Sequence, residues 1–384
     1  MAKSSKKTAK SSPKPAPFPA DRLPFLRTLM SAISPSGYET QVARIVREEA
    51  APWATDVRTD VHGNTLIHVA PPPARSKNAP PPPKVLLAAH CDEIGFLVTH
   101  IDDHGYLWIA PVGGWDPQIP QGQRVLVRTA SAGDIPGVLG KKPIHLLKPD
   151  DRNRVTPLDS LWVDIGASSR DDASSLVAIG DPIVIDQGVS ELRNGLWAGR
   201  AFDDRAGVFA IVEAARRLAL RRDFAADVYA VATVQEEIGS RGAITATFGV
   251  APDVGIAVDV TFATDHPDMS DAEKHEGRVR LAGGPAISRG ANINPVLFAL
   301  LRDTALARKI PLQIVAEPRA PPTDADPIQI SGPGVATALL SIPLRYMHTP
   351  GEVVALSDLE NTARLLAETV AAITPDTDFR PTPV

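Results

Sequence analysis

Apolar positions along this chain follow two rhythms, and the change between them divides it. Leu23, Leu26, Leu29, Met30 and Ile33 recur at helical spacing, and Ser34-Pro-Ser-Gly37 stops that helix. A second helix is predicted from about Glu39 to Glu49. Residues 57–69 read as strands around a turn at His62-Gly-Asn64, and Lys84–His90 is an apolar strand running into His90-Cys-Asp-Glu93. From Ile94 to about Asp186 the segments are short and alternating: Phe96–Ile101, Tyr106–Pro111, Arg124–Arg128, Ile135–Leu139 and Leu161–Ile165, cut by Gly, Pro and Asp. That pattern predicts a small all-β unit inserted into an α/β chain. Helical and strand periods then return. A helix opens at Gly199 and runs to about Leu220, and another covers Pro295–Arg308. Strands are predicted at 228–234, at Asp253–Asp259 and at Leu312–Ala316. Ser357-Asp-Leu-Glu360 reads as a capping box starting a last helix that ends near Ile373.

Three stretches fall outside both rhythms. Residues 1–20 are rich in Lys, Ser, Ala and Pro, the composition of a disordered basic tail. Pro71–Pro83 holds seven prolines in thirteen residues and is predicted to be an exposed loop. Residues 376–384 are expected to fray. The domains expected are therefore an α/β body over 21–93 and 187–375, and a β insertion over 94–186. Hydrophobic residues make up 43% of the 384, enough for substantial cores. A net charge of -5 gives no reason to expect nucleic acid or a membrane surface. No apolar run is long enough to span a bilayer. The one cysteine, Cys91, allows no internal disulfide and makes the cytoplasm the natural compartment.

The stretch Tyr229–Gly242 is where chemistry is expected to gather. It begins as an uncharged run of β-formers and ends in Glu236 and Glu237, and open α/β sheets build their sites at the carboxyl ends of strands. Successive strand residues point to opposite faces, so one glutamate is free to hold a metal while the other moves a proton. Ligand-type residues recur at other strand ends and turns: His90 with Asp92, Asp203 with Asp204, Asp259, and His348. Each has a plain structural reading alone. His90 serves as a buried hydrogen-bonded histidine, Asp203-Asp204 as a helix N-cap pair, Asp259 as a strand-end turn residue, His348 as a loop histidine. Together they offer mixed His and carboxylate donors, which suit zinc, or cobalt and manganese, better than calcium or magnesium. Five ligands exceed what one open catalytic zinc takes and suit two metals sharing a bridging carboxylate.

Five motifs in order, His-x-Asp-Glu-Ile-Gly-Phe (90–96), Ala-Phe-Asp-Asp-Arg-Ala-Gly (201–207), Val-Gln-Glu-Glu-Ile-Gly-Ser-Arg-Gly (234–242), Ala-Val-Asp-Val (257–260) and Arg-Tyr-Met-His-Thr-Pro (345–350), resemble the M42 metallo-aminopeptidases, the tetrahedral aminopeptidase group. The resemblance implies a phosphorylase/hydrolase-like α/β domain interrupted by a β-barrel-like dimerisation domain at 94–186. It implies two divalent ions per subunit, zinc first, with cobalt or manganese as alternatives. His90, Asp203 and Asp259 would hold one ion; Asp203, Glu237 and His348 would hold the other. Glu236 falls at the general base position, and Asp92 at that of the carboxylate orienting His90. The implied substrates are peptides with a free N-terminus, cut at the first peptide bond. The implied assembly is a homodimer through the insertion, with a dodecamer as the further step. The substrate pocket is expected from loops such as Thr261–Pro267 and Pro285–Asn294. Two other hydrolases compete: a two-metal deacylase of N-acylated amino acids, and a glycan hydrolase. The latter needs facing carboxylates that the neighbours Glu236 and Glu237 do not supply.

Overall fold

A computed structural model of the chain describes residues 17–73 and 80–382. The predicted tail up to residue 16, residues 74–79 of the proline-rich loop, and the last two residues lie outside the described part.

Two amphipathic helices come first, α1 (Leu23–Ser31) and α2 (Thr40–Ala50), followed by the hairpin β1 (Asp56–Thr59) and β2 (Thr65–Val69). β3 (Lys84–His90) is apolar from Val85 to Ala89 and buried from Val85 on. The chain then leaves the sheet for six short strands: β4 (Gly95–Ile101), β5 (Leu107–Val112), β6 (Arg124–Thr129), β7 (Gly133–Gly140), β8 (Trp162–Asp164) and, after the five-residue helix α3 (Arg170–Ser174), β9 (Pro182–Ile185). These close into an antiparallel barrel in the order β4-β5-β8-β7-β6-β9. Alternation explains the closure. Phe96, Val98, Leu107, Ile109, Val125, Val127, Val163 and Ile183 fill the inside of the barrel, and closure leaves no free edge.

The chain re-enters the sheet through β10 (Ser190–Glu191) and β11 (Leu196–Gly199), then forms α4 (Phe202–Ala219). α4 is buried on nearly every side, which its apolar run Ala206–Val212 permits. β12 (Asp227–Thr233), α5 (Arg241–Val250), β13 (Val254–Phe262), the single turn α6 (Glu273–Glu276), β14 (Ala286–Gly290), α7 (Pro295–Arg308), β15 (Gln313–Glu317), α8 (Ala325–Gln329), β16 (Ala336–Arg345), β17 (Glu352–Ala355) and α9 (Leu356–Ala372) complete the fold. The eleven-stranded sheet has β12, β3, β13 and β16 parallel at its centre, with antiparallel strands on either side. α4 and α9 pack on each other, and α4 lies against β3, β12 and β13. Parallel strands buried on both faces read as continuous apolar runs, as the middle of β3 and β12 does.

Four expectations need correction. α9 begins at Leu356 with Ala355 at its N-cap and no side-chain cap, so the predicted capping box does not form. Its residues face other work: Asp358 accepts the amides of Ala282 and Gly284, and Glu360 pairs with Arg217. Asp259 does not end its strand, because β13 runs on to Phe262. Residues 286–290 are a strand rather than a loop. At the C-terminus, where fraying is expected, Phe379 packs half-buried on the main core and its carbonyl accepts Asn294 Nδ2 at 2.7 Å.

Candidate active site

The parallel register brings the ligand-type residues together. Thr233 pairs with His90 across β12 and β3, and Ala257 pairs with Ala88 across β13 and β3. The same offset of 169 places Asp259 level with His90 at the carboxyl end of the sheet. β16 ends at Arg345, three residues before His348. Asp203 enters from the first residues of α4, where Asp203 and Asp204 depart from helical dihedrals.

His90 Nε2 lies 3.1 Å from Asp203 Oδ1 and 3.9 Å from Asp259 Oδ1. His348 Nε2 lies 3.3 Å from Asp203 Oδ2 and 3.4 Å from Glu237 Oε1. The two oxygens of Asp203 thus face two different imidazoles. Two groups of potential ligand atoms within 4.8 Å of one another result: His90, Asp203 and Glu237, and His90, Asp204 and Asp259. Asp204 was expected only beside a ligand. Its Oδ1 accepts the Gly207 amide at 3.0 Å, while its buried Oδ2 has no hydrogen-bond partner among the described residues. A Cβ at Gly207 would lie 2.2 Å from that carboxylate, so only glycine fits there.

The two imidazoles present Nε2 inward for definite reasons. His348 Nδ1 is 2.8 Å from the Gly114 carbonyl, so it donates there, and Nε2 is the nitrogen turned to Asp203 and Glu237, where a neutral ring would offer its lone pair to a cation. Gly114 follows barrel strand β5, and the next residue, Trp115, stacks on the barrel-core ring of Phe96 at 4.7 Å. His90 Nδ1 is 3.2 Å from the Asp92 backbone carbonyl and 3.6 Å from Asp92 Oδ1. The Asp92 carboxylate, beside that ring, also accepts the amides of Glu236 at 3.0 Å and Glu237 at 3.1 Å, and the Ser36 hydroxyl at 2.6 Å. It therefore fixes the turn carrying both glutamates. Those glutamates diverge because the chain has left β12 and turned through Gln235, at φ 57°, and not by strand alternation.

Five carboxylates, Asp203, Asp204, Glu236, Glu237 and Asp259, crowd around two imidazoles in largely buried surroundings. Burial pushes Asp259 and Asp204 well above the usual carboxylate range, with neighbouring carboxylates adding to it and His90 opposing. Burial also pushes Glu236 up to about 8; His90 opposes, while Asp324, Glu237 and Asp92 add. Uncompensated charge of one sign inside a protein is costly unless cations pair with it. The donor types, their spacing and the orphaned Asp204 oxygen all fit divalent metal ions.

Other participants were given no role from the sequence. Glu352 Oε1 accepts the His348 amide at 3.1 Å, and its Oε2 accepts the Asp203 amide at 3.1 Å. Glu93 is buried between Arg205, at 2.6 Å, and Arg200. Burial would raise its pKa, but the two guanidiniums outweigh it and hold the carboxyl below the usual range. Glu39 accepts the Gln235 amide at 3.1 Å. Asp324 accepts the Thr233 hydroxyl at 2.5 Å, and burial pushes it up to about 6.

A cleft of about 860 Å³ opens over His90, Asp203, Glu236, Glu237, Asp259 and His348. Its lining also includes Phe262, Glu276, Glu317, Arg319, Leu339 and Met347. Of the loops expected to line it, the first contributes Thr261 and Phe262; the 285–294 stretch lies elsewhere.

The profile of a family described as M42 glutamyl aminopeptidase matches residues 74–365. The chain belongs to the M42 aminopeptidases. It is 38% identical over 360 residues to the lysyl aminopeptidase of Pyrococcus furiosus, covering 93% of this chain and 99% of that one. The TET aminopeptidase of a marine-sediment Thaumarchaeota archaeon superposes with a TM-score of 0.84 at 35% identity, over 93% of this chain and 98% of the other. The Pyrococcus horikoshii TET1 peptidase, described as assembling into a tetrahedron or a large octahedral shell, gives 0.80 at 30% identity, over 91% and 99%. As an M42 enzyme the chain is a hydrolase of peptide bonds, and its cluster of His, Asp and Glu is able to bind metal. Among the described residues no helix is long and apolar enough to cross a membrane.

Proposed function

We propose that this M42 enzyme removes N-terminal residues from peptides at a two-cation site, with Glu236 as general base. The observation that carries the reading is Asp203, whose two oxygens face His90 and His348 at 3.1 and 3.3 Å. His90, Asp203 and Asp259 would hold one ion, and Asp203, Glu237 and His348 the other, with zinc the best match to the donors and cobalt or manganese next. When bound, the ions would acidify a water and offset negative charge developing on the scissile carbonyl oxygen. Glu236 takes the proton of the attacking water and returns it to the leaving amine nitrogen. The Ser240 hydroxyl, 3.0 Å from Glu236 Oε1, steadies that carboxyl, and Asp92 steadies its backbone. Chelation is expected to abolish release of a chromogenic aminoacyl leaving group, and added zinc, cobalt or manganese to restore it. An N-acylated substrate is expected to stay intact; turnover of it would favour a deacylase.

The cleft favours a basic first residue. Leu339, Met347 and Phe262 supply apolar lining for a methylene stem, and Glu276 and Glu317 line the same cleft. Neither glutamate has an ion-pair partner among the described residues, and Glu317 is half-buried while Arg319 is exposed. A lysyl substrate is therefore expected to exceed a glutamyl one in kcat/KM. Glu317→Gln should narrow that ratio about fivefold, the worth of a partly screened pair of ~1 kcal/mol. A glutamyl preference would reverse the assignment.

Self-association is proposed through the 94–186 unit, where Val138, Ile144, Leu146 and Val155 are exposed. Light scattering is expected to give at least a dimer, with the twelve-subunit shell as the further possibility. A monomer at micromolar concentration would remove this proposal. The single buried cysteine supports a cytoplasmic setting.

A further inference from the structure

We propose that Glu352 is a positioning residue for cation binding: one buried carboxylate holds the backbones of Asp203 and His348 so that their side chains meet. The inference rests on the two-cation reading above. Glu352 opens β17 and is only 2% exposed. Its register partner is Gly199 on β11, four residues before Asp203. It is also four residues after His348. One side chain therefore stands between two segments far apart in sequence, and each of its oxygens takes one amide at 3.1 Å.

Both amides belong to irregular backbone. Asp203 sits at φ -79°, ψ 105°, outside the helix it enters, and His348 is left-handed at φ 59°. A non-glycine residue in the left-handed region costs about 1–2 kcal/mol. Such a conformation persists only when surrounding contacts fix it. For His348 the contacts are Glu352 on its amide and Gly114 on its ring. The requirement is for two acceptors. A carboxylate supplies both, whereas an amide of the same shape supplies one acceptor and turns a donor toward the other N–H. Groups that orient ligands in this way commonly contribute 10–100-fold to metal affinity.

The test is the affinity of chelator-treated protein for zinc alone, measured by competition with a chromogenic chelator. Glu352→Gln is expected to bind zinc about 10–100-fold more weakly. Its circular-dichroism melt without metal should match the wild type within a few degrees, and saturating zinc should restore most activity. A merely structural role predicts the opposite: a lowered melt and no rescue by metal. Should Glu352→Gln not accumulate as folded protein, Glu352→Asp carries the test, because it keeps the charge and shortens the reach. Wild-type affinity in either folded variant overturns the proposal. A wild-type protein that binds no zinc overturns the two-cation reading instead.

Discussion

Glu236→Gln keeps its fold and its bound metal and loses about 10²–10⁴ of its turnover. The substitution is nearly isosteric and retains an acceptor for the Ser240 hydroxyl. The amide of residue 236 still bonds Asp92, so the turn through Glu237 stays in place. What disappears is a group able to take a proton from water and release it to nitrogen. The wild-type carboxyl suits this because burial lifts it toward neutrality, while a pair of bound cations would pull it down again. The measurement is kcat on a lysyl chromogenic substrate beside metal content per subunit. Retention of a third of the turnover at full metal content would remove Glu236 from the role.

Arg205→Met costs about 3–5 kcal/mol of stability, since it strips one partner from a buried ion pair. Arg205 is completely buried on α4, two residues after Asp203. Its guanidinium meets Glu93 Oε1 and Ser34 Oγ at 2.6 Å each, and the Ala32 carbonyl at 2.8 Å. It thereby joins the end of α1, the exit from β3 and the start of α4. Arg200 still pairs with Glu93 in the variant, which places the loss near the lower bound. Arg205→Lys should lie between, keeping charge but not the fork. The readout is the urea midpoint at unchanged slope. A shift worth less than about 1 kcal/mol would mean that Arg200 and solvent carry Glu93 without it.

These two residues mark the limits of what the chain discloses before it folds. Glu236 lies in an apolar run that breaks abruptly into charge, and that contrast is visible to the eye. The central strands β3 and β12 and the barrel strands other than β9 were legible for the same reason, because each period is local. Arg205 sits inside a motif, yet nothing local says it will be buried. Its partners Glu93, Ser34 and Ala32 come from more than a hundred residues away. Glu352 is further from view: it follows Thr-Pro-Gly, has no repeat or spacing, and acquires meaning only when Asp203 arrives above it. β16 escaped notice because its ten residues mix Thr, Ser and Pro into the apolar run, and α5 because Gly and Thr weaken its helical signal. The reading of Asp92 as a partner for His90 came from the family resemblance, and its Oδ1 does lie 3.6 Å from His90 Nδ1. In the fold its carboxylate bonds two amides on a neighbouring strand's exit.

The Gly114 carbonyl that faces His348 has a bearing on modularity. Its loop is tethered by Trp115, whose indole also donates to the Gly95 carbonyl at 2.9 Å. Excising residues 95–185 and rejoining the ends would leave the large sheet with most of its own interior. It would also free one imidazole to spin and to swap its proton between nitrogens. The smaller unit is therefore no detachable accessory, since the larger one borrows an acceptor from it.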